Sequence, residues 1–160
     1  MLPPYLYRMI VSLFVILIAV PGVEAQERGG SGHKDECDSL CIVPTRTIYF
    51  DTSEGTQMNV DVSPDGETIL FDLLGDIYTV PRTGGTAMRL TSGMAMDLQP
   101  VFSPEGGRVL FVSDRSGNEN LWTIDADGAN PTPVTTERGD FHFDNPEWSP
   151  DGDYVLVQKG

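Results

Sequence analysis

From Arg46 onward, apolar residues arrive in short bursts of β-branched and aromatic side chains, broken every few positions by Gly, Pro, Asp or Asn. Alternation with period two inside the bursts predicts strands, and no apolar stripe at helical spacing is long enough to predict a helix. The bursts also repeat. "VSPDGETILFD" from Val62, "FSPEGGRVLFV" from Phe102 and "WSPDGDYVLVQ" from Trp148 give one turn and one strand three times, with Ser63, Ser103 and Ser149 spaced by 40 and 46 residues. Proline presets φ at the second turn position, Asp suits the third, and Gly accepts the left-handed conformation that leaves the turn. Ile69 and Phe71, like Val109 and Phe111, point to one side of their strands, and Leu70 and Leu110 point to the other. Both faces are thus apolar, which predicts sheets sandwiched between neighbouring sheets.

A period near 40 residues with four short strands per unit predicts the blades of a β-propeller. The units cover about residues 57–91, 97–136 and 143–160: two complete blades and the first two strands of a third. Val62, Phe102 and Trp148 take one equivalent position before the turn, and Tyr78 and Trp122 take another in the third strand. All five are predicted to fill space between blades. "RTIYFDT", Arg46–Thr52, stands before the first unit as "AMRLT" stands before the second, and is expected to be a closing strand for a blade whose other strands are elsewhere. Because a propeller needs several blades to bury its faces, the chain reads as the front of a longer protein. The alternative is several short chains assembling into one ring.

Upstream, Arg8 precedes the apolar run "MIVSLFVILIAV", and "PG" then leads to "VEA" before Gln26. Residues 1–25 therefore read as a secretory signal peptide cleaved after Ala25, too short in its apolar run to span a bilayer. A periplasmic or extracellular location and no membrane association after cleavage are expected. Residues 26–45 are polar, Gly-containing and without period, and read as a flexible linker. Cys37 and Cys41 lie in this linker; in an oxidising compartment they form a small-loop disulfide or remain without a role, since their spacing suits neither a redox pair nor a zinc site.

Charge narrows the partners. The formal net charge is −14, and it stays with the mature part because the leader carries one acid and one base. Such a surface repels phosphate backbones and anionic lipid, so nucleic acid is excluded as a partner. Candidate chemistry is sparse. No nucleophile elbow and no Ser, His and acid set stand out. "DADGAN", Asp125–Asn130, lacks the ligands of a calcium loop and reads as a hairpin connection. No catalytic, cofactor or metal residue is assigned in this segment. The loops "SGMAMDLQP" and "ERGDFHFDNP" precede inner strands and are expected to surround one mouth of the channel, where Asp97, His142 and Asp144 are the candidate contact residues.

Lined up, "PEWSPDGDYVLV" and "PVFSPEGGRVLFVSDRSGNENLW" resemble the propeller repeat of the TolB family, P-x-W-S-P-D-G-x-x-I-x-F-x-S-x-R-x-G-x-x-x-L-W. The first unit departs from it, with Val60 in place of the Pro and "DLLGDIY" in place of the longer turn. The resemblance covers about Arg46–Gly160 and implies an all-β propeller. The run from Glu54 to Trp122 looks more particularly like the N-terminal propeller of exported bacterial amidohydrolases. That implies a full-length enzyme cleaving C–N bonds, a divalent metal such as zinc held by a His-x-His pair beyond Gly160, and a propeller that gates or positions a peptide or small-molecule substrate for the rest of the same chain. The propeller of a prolyl-oligopeptidase-type serine peptidase, and a TolB-like periplasmic module that binds a protein partner, are the alternatives. A propeller fold alone does not choose among them.

Overall fold

The computed structural model describes residues 50–160, Ile48, and the backbone of Ile18–Ala19. The remainder of the predicted leader, most of the linker and the Cys37–Cys41 pair lie outside the described residues. Among the described residues strands alone make up the regular structure: β1 (Ile18–Ala19), β2 (Val60–Val62), β3 (Thr68–Leu73), β4 (Asp76–Pro81), β5 (Met88–Arg89), β6 (Asp97–Phe102), β7 (Arg108–Ser113), β8 (Asn120–Asp125), β9 (Thr132–Pro133), β10 (Phe143–Trp148) and β11 (Tyr154–Lys159). They form two four-stranded sheets, β2-β3-β4-β5 and β6-β7-β8-β9, and a three-stranded sheet, β1-β11-β10. Every pairing is antiparallel. This is an all-β, incomplete propeller: two full blades and part of a third.

The repeated turn shows why Ser, Pro, Asp and Gly recur. The Gly66 N–H donates to the Ser63 carbonyl at 2.8 Å, and Gly66, Gly106 and Gly152 have φ of 72, 76 and 75°, a region open to glycine at no steric cost. The serine hydroxyl then works twice. Ser63 Oγ accepts from Thr68 N at 2.9 Å and donates to the Asp65 carboxylate, which also accepts from Glu67 N. Ser149 and Asp151 repeat the arrangement. In both turns the serine hydrogen bond is the main cause that holds the aspartate below the ordinary carboxylate range. In the second turn Glu105 replaces the Asp, yet Ser103 Oγ still accepts from Arg108 N at 3.0 Å.

A second local device closes each full blade. Thr91 Oγ1 accepts from Ile77 N, and Thr135 Oγ1 accepts from Leu121 N, both at 2.9 Å. These threonines end "AMRLT" and "PTPVT", just past the short outer strands β5 and β9. Since β5 and β9 contribute only two ladder residues each, the threonine bonds hold chain that the ladder does not.

Packing follows the predicted two-sided pattern. Leu70 and Ile77 of the first blade meet Phe102, Val109, Phe111 and Ile124 of the second. The other face of the second blade, with Leu110, Val112 and Leu121, meets Phe143, Trp148, Val155 and Val157 of the third. Each fully buried side chain of this size stabilises the fold by about 1.5–3 kcal/mol. Burial falls away at the first blade's outer side: Val62 is 51% exposed, whereas its counterpart Phe102 is 8% exposed. Phe71 and Tyr78 on that side stack on each other, with centroids 5.6 Å apart.

The closing strand expected over Arg46–Thr52 is not formed in its described part. Ile48 and Phe50–Thr52 carry no strand, and Ile48 and Phe50 are exposed. A strand needs a partner for its backbone groups, and the blade this segment was expected to complete is not among the described residues. The edge of β11 pairs with β1, Ile18 opposite Val155 and Ala19 opposite Tyr154; these residues belong to the predicted leader, and cleavage after Ala25 would remove this strand.

Candidate functional site

Inner strands β6 and β10 both begin with an irregularity. Register slips between Leu98 and Val101 and again between Asp144 and Glu147, so each strand opens with a bulge. Gln99 and Asn145 sit at equivalent places in these bulges with φ of 54 and 52°, a left-handed conformation uncommon for residues other than glycine. Their N–H groups leave the ladder and bond to the preceding blade. Gln99 N donates to Asp72 Oδ2 at 2.8 Å, and Asn145 N donates to Gln99 Oε1 at 2.7 Å. Strain at a bulge is thus held by a side-chain acceptor one blade back.

Asp72 anchors this belt. It is buried and accepts from Asn59 N and Asn59 Nδ2, at 2.9 and 2.7 Å, besides Gln99 N. Asp61 adds a parallel link, accepting Phe102 N from the second blade at 2.7 Å.

His142 and Asp144 meet at the same end. His142 Nδ1 lies 2.7 Å from Glu119 Oε2, and Nε2 lies 3.4 Å from Asp144 Oδ2. Glu119 Oε1 also accepts from Phe143 N at 3.0 Å, and Asp144 Oδ1 accepts from Gln99 Nε2 at 3.1 Å. The Glu119 hydrogen bond, then the charges of Glu119 and Asp144, raise the His142 pKa above its ordinary value. The ring itself is 65% exposed. The result is a polar arc, Glu119–His142–Asp144–Gln99–Asp72–Asn59, that crosses all three blades where the inner strands begin.

Asp97 does not share this setting. It is 1% exposed, and Arg115 Nη2 reaches both of its carboxylate oxygens, at 2.9 and 2.8 Å. Its position at the start of β6 suggested a contact residue, but the Arg115 side chain folds back over it and turns it into a buried ion pair. Glu119, Gln99, Asn145, Asp72, Asp61 and Asn59 were not singled out from the sequence. The signal for two of them was present: Gln99-Pro100 and Asn145-Pro146 align in register before the second and third turns. The acid before the aromatic strand, Glu119, has no such repeat to mark it.

Chemically, the arc offers carboxylates, amides and one imidazole that hydrogen-bond a polar ligand. Glu119 and Asp144 approach opposite nitrogens of one ring, so they diverge and do not converge on a common ion. Among the described residues no group of three His, Cys, Asp or Glu side chains is disposed to hold a metal. A separate cleft of 480 Å³ lies on the second blade, lined by Trp122, Pro133, Thr135 and Arg138 among others. Trp122 there is packed from one side by the Arg115 guanidinium, 5.1 Å from the ring centroid, and the aromatic position serves the space between blades.

Residues 44–160 match the family described as the TolB beta propeller domain. A protein TolB homolog of Chlorobium luteolum is 37% identical over 76 residues, which covers 43% of this chain and 17% of that protein. Among solved structures, TolB from Acinetobacter baumannii aligns with a TM-score of 0.50 at 18% identity, covering 69% of this chain and 34% of the other. The tricorn protease aligns with a TM-score of 0.50 at 19% identity, covering 62% and 10%. At these identities the structural likeness is one of fold. The chain spans a third or less of the length of the curated relatives it matches.

Proposed function

Because the chain belongs to the TolB beta propeller domain family, we propose that it is the non-catalytic propeller portion of an exported hydrolase, whose polar arc admits and positions substrate for a catalytic part of the same protein. The arc carries the reading: Glu119, His142, Asp144 and Gln99 place exchangeable hydrogen-bonding groups where the inner strands of successive blades begin. The substrate is a peptide or a small molecule with amide character. The catalytic part is a metal-dependent amidohydrolase domain using a divalent ion such as zinc; this choice rests on the resemblance of Glu54–Trp122 to propellers of that kind. Export rests on the leader-like residues 1–25. Among the described residues no helix is long and apolar enough to cross a membrane. The second reading, a peptidase propeller, is favoured by the fold shared with the tricorn protease.

The full-length native gene product, purified after export, tests this. Hydrolysis of cyclic amides and peptides that is lost on chelation and restored by zinc is the expected result. Hydrolysis blocked by a serine-directed phosphonate but indifferent to chelator supports the peptidase instead. No hydrolysis of either class overturns the proposal in favour of a binding module.

A further inference from the structure

We propose that His142 is a protonation-dependent clasp between the second and third blades: its doubly protonated ring ties Glu119 to Asp144, and loss of one proton releases Asp144 and loosens the loop at Phe141–Asn145. This deepens the reading of the arc as a gate and depends on that reading only for what the clasp would regulate.

Both neighbours of the ring are acceptors. An ionised carboxylate has no hydrogen to give, and a neutral imidazole has one N–H and one lone pair. With Glu119 Oε2 hydrogen-bonded to Nδ1 at 2.7 Å and Asp144 Oδ2 in ion contact with Nε2 at 3.4 Å, only the imidazolium turns an N–H toward both carboxylates. Deprotonation must set a ring lone pair against a carboxylate. The Asp144 contact is the one that yields, because it is longer and because Glu119 is also fixed by Phe143 N at 3.0 Å.

Other charges around the ring do not take over the task. Glu119 comes from the connection between β7 and β8, and Asp144 from β10. From β11, Lys159 lies 3.9 Å from the Phe141 ring centroid and pairs with Glu137 at 3.0 Å. Gly160 exchanges backbone hydrogen bonds with His142 at 3.0 and 3.3 Å. On its own loop the nearest charged residues are Arg138 and Asp140, and no hydrogen bond or ion pair joins their side chains to the ring among the described residues. Losing the proton therefore leaves Glu119 and Asp144 facing each other across an uncharged ring, in a chain already carrying −14.

The mechanical consequence follows from the second oxygen of each acid. Glu119 ties the second blade to Phe143, while Asp144 ties the third blade to Gln99, whose Oε1 holds the Asn145 N–H. His142 joins these two links. A folded-state pKa above the ordinary histidine value means that the clasp is fully closed below about pH 6.5 and opens as pH rises through the higher folded value.

The chain has two histidines, His33 and His142, which makes ring ¹⁵N spectra of the full chain simple to assign. The expected result is a His142 midpoint above the ordinary histidine value, moved back toward it in Glu119→Gln and less far in Asp144→Asn. Over the same pH range, amide exchange at Asn145 relative to Leu121 should rise with His142 deprotonation in the wild type and stay flat in His142→Gln. A ratio that does not change with pH in the wild type, or a midpoint unmoved by Glu119→Gln, overturns the proposal. Neither outcome depends on whether the full-length protein hydrolyses amides.

Discussion

Replacing Arg115 with Ala is expected to lower the unfolding free energy by about 3–5 kcal/mol, the cost of leaving one partner of a buried ion pair alone. Asp97 is 1% exposed and has its two oxygens on one guanidinium nitrogen, at 2.9 and 2.8 Å. The same guanidinium donates from Nε to Ser113 Oγ at 3.1 Å and lies 5.0 and 5.1 Å from the Phe111 and Trp122 ring centroids. Truncation removes all of these at once and exposes Asp76 to an uncompensated neighbour; burial and the Asp97 charge already raise the Asp76 pKa, against the pull of Arg89. Urea unfolding measures the loss. Arg115→Lys should fall between wild type and Arg115→Ala, because an ammonium keeps the charge but not the planar fork. The double substitution of Arg115 and Asp97 by Ala should recover part of the stability, since no charge is then stranded. A loss under about 1 kcal/mol for Arg115→Ala would mean that the pair behaves like a surface salt bridge.

Asp72→Ala should cost about 1–3 kcal/mol, by a different route. Its carboxylate accepts from Asn59 N, Asn59 Nδ2 and Gln99 N at 2.7–2.9 Å. Asn59 is exposed and its donors turn to water once freed, so the loss rests mainly on Gln99 N, a partly buried backbone donor outside the ladder. Because Gln99 has positive φ, its bulge also loses the bond that offsets the strain, and the Asn145 contact to Gln99 Oε1 weakens with it. Asp72→Asn keeps one acceptor oxygen but turns an NH₂ toward the donors, so about half the loss is expected. Unfolding midpoints of the two variants check this. Equal losses for Ala and Asn would show that charge, and not the number of acceptors, governs the site.

The fold was legible because its signal is redundant. Three copies of the Ser-Pro-acid-Gly turn fix the register of three strand pairs, and period-two patterning on both sides of "TILFDL" and "RVLFVS" predicts sheets packed on two faces. What the sequence did not show is the polar belt. Asp72 and Asp61 sit on strands where an acid reads as solvent-facing, and only the juxtaposition of blades brings Gln99 N and Phe102 N to them. Asp97 illustrates the opposite failure: a position at a strand start looks accessible until a residue 18 positions on folds over it. His142 and Asp144 were named, with Asp97, from the loops that lead into inner strands, whereas Glu119, which reaches His142 from 23 residues away, was not.

The central claim is that successive blades are locked at their inner strands by side chains of the preceding blade, which places the polar arc. Amide hydrogen exchange of Gln99 and Asn145 in the wild-type chain tests it most directly. Both N–H groups lie in bulges without ladder partners, so a sheet considered alone leaves them open to water. Protection comparable to that of neighbouring ladder amides such as Leu110, lost at Gln99 in Asp72→Ala, is the predicted result. Exchange of both amides at the rate of an unstructured chain would contradict the account.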